Sequence, residues 1–132
     1  MVDEALKLAV FYRERVKHMG RDERISAAWE LASYEVFSSR QLGAILDIDW
    51  WTARTKNEKT GRTGGAFNAD SLADLRDAAE AYERGEVDPV QVARILDAGT
   101  SRRMVTRLTG IPESTVQRCK ARAERILGEG ER

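Results

Sequence analysis

The chain has 132 residues, enough for one ordinary domain or two very small ones, and its 42% apolar and 33% charged residues suit a soluble globular protein and argue against disorder. The 22 basic and 22 acidic side chains cancel to zero net charge, and no apolar run approaches the roughly 18 residues of a membrane span. The N-terminus lacks a basic patch followed by an apolar stretch, so no secretory signal is read, and the lone Cys119 has no internal disulfide partner and fits a reducing, cytoplasmic setting.

Two prolines, Pro89 and Pro112, in a chain rich in Ala, Leu, Arg and Glu favour helix. Helical spacing of Leu6, Ala9, Val10, Phe11 and Val16 predicts a helix over 3–19, with Gly20 ending it. A second helix is predicted over 22–36 with Ile25, Ala28, Trp29, Ala32 and Val36 on one face, the two packing as a hairpin. A short helix with a serine N-cap follows over 38–46, and a further one over 50–57. Residues 59–67, with Thr60, Gly61, Thr63, Gly64 and Gly65, are too glycine-rich for helix and form the clearest loop. Asp70-Ser71 then caps a helix through Arg84, its stripe Leu72, Leu75, Ala79 and Tyr82, its exposed face acidic, and Gly85 its stop.

Asp88-Pro89 starts another helix with Val90, Val92, Ala93, Ile95 and Leu96, ending at Gly99. Thr100 or Ser101 caps a short helix to Thr109. Gly110-Ile111-Pro112 turns the chain into a last helix to about Leu127, with residues 128–132 fraying. No strand-like alternation occurs. The reading is all-α: two small helical domains, 1–65 and 87–132, joined by an acidic linker helix over 66–86.

Zero net charge conceals blocks. Residues 100–127 hold seven basic side chains against two acidic, residues 38–63 five against three, and residues 66–98 three against eight. Local charge governs attraction to phosphates at screened distances, so the two basic blocks suit a nucleic-acid partner.

The run from Arg103 to Arg118 strongly resembles the helix-turn-helix of bacterial DNA-binding proteins. Val105 and Leu108 face the core, Thr106 is small enough for close helix crossing, Gly110 permits a left-handed turn, Ile111 plugs the core beneath it and Val116 anchors the second helix. Glu113, Ser114, Gln117 and Arg118 remain outward, with Arg102 and Arg103 at the leading end of the first helix. These are groups that bond base edges and phosphates. Residues 39–56 look like a weaker copy. Leu42, Gly43, Leu46, Ile48 and Ala53 take the core and turn positions, and Asp47 replaces the turn glycine. Trp50, Trp51, Thr52, Arg54 and Thr55 would line its recognition helix, one tryptophan in the core and the other in the groove or against a sugar. The stretch 56–65 that follows suits two roles equally: a passive linker, or a basic arm carrying Arg62 into a minor groove.

Two dissimilar units in one chain resemble the immunity repressors of actinobacterial temperate phages, the mycobacteriophage type, in size and layout. The resemblance implies a repressor that maintains lysogeny by binding short asymmetric operator and stoperator sites on double-stranded DNA as a monomer, in the bacterial cytoplasm. The expected contact set is Ser39, Arg40, Trp50, Thr52, Arg54, Lys56, Lys59 and Arg62 from the first region. The second supplies Ser101, Arg102, Arg103, Glu113, Ser114, Thr115, Gln117, Arg118, Lys120 and Arg122. Arg40, Lys56, Arg102, Arg103 and Lys120 would fix register on phosphates; Arg54, Ser114, Gln117 and Arg118 would specify sequence.

No catalytic residue, metal ligand, cofactor, small-molecule ligand or membrane contact is expected. A recombinase needs a catalytic domain for which 132 residues leave no room, and His18, the single histidine, is read as a helix C-terminal side chain. Cys119, beside Val116, is read as a small buried hydrophobe. The rival reading is a protein-interaction adaptor, an antirepressor or sigma-like polymerase-binding module, docking through the acidic 66–98 segment.

Overall fold

The computed structural model describes residues 2–49 and 66–130. Among them the chain is all-helical, with seven α-helices and two short 3-10 turns and no strand. No helix of the described residues is long and apolar enough to cross a membrane. By its contacts the described chain forms two compact units: the helices up to residue 49 with residues 68–72, and residues 66–67 with everything from Ala73 onward.

In the first unit, α1 (Val2–Arg15) buries Ala5, Leu6, Ala9 and Val10, and a 3-10 turn (Val16–His18) continues it. Asp3 and Glu4 in its first turn and Arg13 and Arg15 in its last complement the helix dipole. Gly20, expected to end this helix, is instead the extended N-cap of α2 (Arg21–Ala32).

Two further expectations are corrected in α2. The helix stops at Ala32 rather than Val36, because the N–H groups of Tyr34 and Glu35 bond back only three residues, to Leu31 and Ala32, and Glu35 takes a left-handed φ of 57°. Val36 and Phe37 then enter the core from this link. Trp29, expected on the buried face, is 60% exposed. The buried side of α2 is Ala27, Ala28, Leu31 and Ala32, a stripe narrow enough that the next residue round the helix faces water.

α3 (Ser39–Leu46) carries a full capping box: the Gln41 N–H donates to Ser38 Oγ at 3.2 Å and the Ser38 N–H to Gln41 Oε1 at 2.9 Å. Two arginines tie this unit together. Arg13 donates to the carbonyls of Ala44 and Ile45 at 3.0 and 3.2 Å and to the Asp70 carboxylate at 2.9 Å, satisfying late carbonyls of α3. Arg24 donates to the carbonyls of Val16, Met19 and Asp47 at 2.7, 3.0 and 3.1 Å.

The cap expected at Asp70-Ser71 lies at Asn68, whose side chain accepts from the Asp70 N–H at 2.9 Å and opens a 3-10 turn (Ala69–Ser71) leading into α4 (Leu72–Glu83). Leu75, Ala78 and Ala79 are buried along α4, whereas Tyr82 keeps 37% exposure. Gly85 ends the segment at φ 76°.

α5 (Pro89–Asp97) has Asp88 as N-cap and proline in its first turn, as the sequence predicts. α6 (Arg102–Thr109) and α7 (Glu113–Gly130) follow, and α7 packs against both. The last helix was expected to end near Leu127 and runs on to Gly130.

Candidate nucleic-acid interface

The turn between α6 and α7 of the second unit is built by local chemistry. Ser101 caps α6 by accepting from the Met104 N–H at 3.2 Å. Met104, Val105 and Leu108 then turn inward, each at most 1% exposed. Gly110 takes the left-handed conformation at φ 82° and its N–H returns to the Thr106 carbonyl at 2.9 Å. Ile111 and Val116, both fully buried, anchor the turn and the start of α7. The Thr109 hydroxyl, missed from the sequence, donates to the Val105 carbonyl at 2.5 Å and accepts from the Ile111 N–H at 3.1 Å. The turn's buried donor is thereby satisfied.

Val116, Cys119 and Ala123 mark the inward side of α7. At ~100° per residue, Ser114 and Ala121 lie opposite that side, with Gln117 and Arg118 flanking them. Glu113, Ser114, Gln117 and Arg118 are all exposed, as expected. Thr115 is half-buried and accepts a hydrogen bond from Arg118 Nη2 at 3.2 Å. Arg122 is exposed at the margin of this face. Lys120, though exposed, lies more than about 100° round the helix from its centre and does not join it.

Arg102 and Arg103 are exposed in the first turn of α6. A cation there opposes the helix dipole and costs a few tenths of a kcal/mol, so stability does not account for the pair. The Ser101 hydroxyl, expected on DNA, also caps α6, accepting from the Met104 N–H and keeping its own O–H as a donor.

The first unit repeats this scheme at a constant offset along the chain. Ser38 matches Ser101 as cap, Leu42 and Ile45 match Val105 and Leu108 as buried positions, and Gly43 matches Thr106 as the small one. Asp47 matches Gly110: it is left-handed at φ 52°, and the Ile48 N–H bonds back to the Gly43 carbonyl at 3.0 Å. Ser39 is half-buried and Arg40 exposed. Trp50, Thr52, Arg54, Lys56, Lys59 and Arg62, and with them the helix expected over 50–57 and the glycine-rich stretch, lie outside the described residues.

His18 is exposed at the end of its 3-10 turn. Cys119 is 6% exposed, and burial pushes its thiol up, with Arg118 and Arg122 pulling the other way. A raised thiol inside a core packs as an apolar group. A scan against protein-family models, a search of curated proteins and a search of solved structures each found no match.

Proposed function

We propose that the chain is a sequence-specific double-stranded DNA-binding repressor of the phage-immunity type. It would act as a monomer on short asymmetric operator or stoperator sites in a bacterial cytoplasm, and perform no chemistry of its own. The observation that carries the reading is the exposed face of α7: Ser114, Gln117 and Arg118 stand outward after a left-handed turn, and Arg102 and Arg103 are exposed in the first turn of α6. The recognition helix of such a motif enters the major groove with its N-terminal residues on base edges, while cations nearby hold phosphates. The repeated cap, small residue and left-handed turn of α3 support a second reading unit in the same chain. Two units on one site would span roughly one to one and a half turns at about 10.5 bp per turn.

The test is selection of duplexes from a random pool, followed by titration of stoichiometry on the best one. An asymmetric site bound by one chain supports the proposal. A palindrome bound by two chains reduces it to one reading unit and a dimer, and no enrichment refutes it in favour of a protein-docking role. On the selected site, Gln117→Ala should relax one or two base pairs by about 1–3 kcal/mol each, while Arg102→Ala should weaken all sequences alike and lower the salt slope by about one.

A further inference from the structure

The hydrogen bond between Thr115 and Arg118 has no structural task. It joins two side chains on the surface of one helix, three residues apart, at 3.2 Å. The α7 segment around it is already anchored by Val116 and Cys119. What the bond does is hold the exposed Arg118 guanidinium against Thr115. An arginine side chain loses much rotamer freedom on docking, and a planar fork reads a base only if its plane is correctly set. Thr115 is suited to the role because its β-branched side chain has few χ1 states and its half-buried position fixes them.

Resting on the DNA-binding reading, we propose that Arg118 reads a guanine and that Thr115 is the positioning residue that presets its fork. Thr115 takes one Nη2–H, leaving the other N–H groups of the same plane for a partner. Two parallel donors match the O6 and N7 acceptors that only guanine presents side by side in the major groove. The neighbours fit a helix that seats closely there: Ser114 and Ala121, which project most directly outward, are both small, so the longer Arg118 and Gln117 reach past them on either side. A phosphate-binding arginine needs no such presetting, since phosphate oxygens accept from many directions.

The experiment uses the full chain and its selected duplex, with a panel replacing each base pair in turn, read as relative affinity for the parent chain and for Arg118→Ala, Thr115→Val and Thr115→Ser. The expected result is one G·C pair whose preference Arg118→Ala abolishes and Thr115→Val lowers by roughly three- to tenfold at that pair alone. In Thr115→Val the fall at that pair should exceed any change in affinity for random duplex, and Thr115→Ser, which keeps the acceptor, should restore the preference. Three results overturn the proposal. Thr115→Val could leave that pair untouched, Thr115→Val could weaken every sequence equally, or Arg118→Ala could flatten no single pair, which would place Arg118 on phosphate. In each of these the parent chain still binds its site, so DNA binding survives; a parent chain that binds no duplex sinks both.

Discussion

Two threonines of α6, three residues apart, should respond in opposite ways to the same substitution. Thr109 is 7% exposed, and its Oγ1 both donates to the Val105 carbonyl and accepts from the Ile111 N–H. Thr106 Oγ1 is buried with no hydrogen-bond partner. Valine has the shape of threonine without the hydroxyl. Thr109→Val removes the acceptor for a donor on Ile111, a residue with no exposed surface, and an orphaned buried N–H costs about 1–3 kcal/mol. The Val105 carbonyl keeps its place in the helical ladder, so only one group is orphaned, and the expected loss is about 1–2 kcal/mol. Thr106→Val instead removes a hydroxyl that pairs with nothing, and should be neutral or stabilising by up to about 1 kcal/mol. Urea unfolding followed by circular dichroism would read both, fitted to two transitions if the two units unfold separately. Thr109→Ser should recover most of the loss and Thr106→Ser none of the gain. Equal costs at the two sites, or no cost at Thr109, would refute the claim that Thr109 satisfies the turn.

The helix caps should matter similarly in both units: Ser38→Ala and Ser101→Ala should each lower stability by about 1 kcal/mol in the same unfolding assay, the first slightly more because it breaks a capping box. Burial, reinforced by the 2.7 Å hydrogen bond to Glu30, pushes the Tyr12 phenol up to about 12. The folded state thus favours the protonated phenol, and that stability is fully present below the unfolded value near 10 and is lost as pH rises through about 12. Because the ring is only half-buried the effect is under about 1 kcal/mol, and Tyr12→Phe should remove this share of the alkaline decline in a pH series of melts. The Cys119 thiol, buried and pushed up, should label with a thiol reagent far more slowly in the folded chain than in urea at neutral pH; equal rates would mean the α7 seam is open.

What was legible in the sequence was whatever a single residue type dictates. Asp88-Pro89, the Gly110 turn and the inward Val105, Leu108, Ile111 and Val116 follow from dihedral preference and helical spacing, and each is found where those rules put it. Tertiary competition was not legible. Trp29 belongs to the apolar period of its helix yet faces water, because the side of α2 that packs is the alanine-rich one and hydropathy alone ranks tryptophan above alanine. Asn68 outcompetes Asp70 and Ser71 as cap through a 3-10 turn that no periodicity announces. Nothing in the spacing of Arg13 and Arg24 announces that they donate to backbone carbonyls near the end of α3, distant in sequence. A side chain bonded to main chain leaves no trace in its own spacing.

The same distinction bears on the site. Arg102 and Arg103 sit where the α6 dipole disfavours them, whereas α1 places acids first and bases last. The dipole rule is thus obeyed on α1 and broken at the start of α6, as it is at the end of α4, where Glu80 and Glu83 stand in the last turn. On the proposed DNA-binding reading, the return for the exposed Arg102 and Arg103 pair is a phosphate contact rather than a gain in stability. Replacing Arg102 with glutamine should therefore raise stability by a few tenths of a kcal/mol while weakening duplex binding. The opposite signs matter more than either size: a residue holding the fold together would lower both, and a neutral surface charge would move neither.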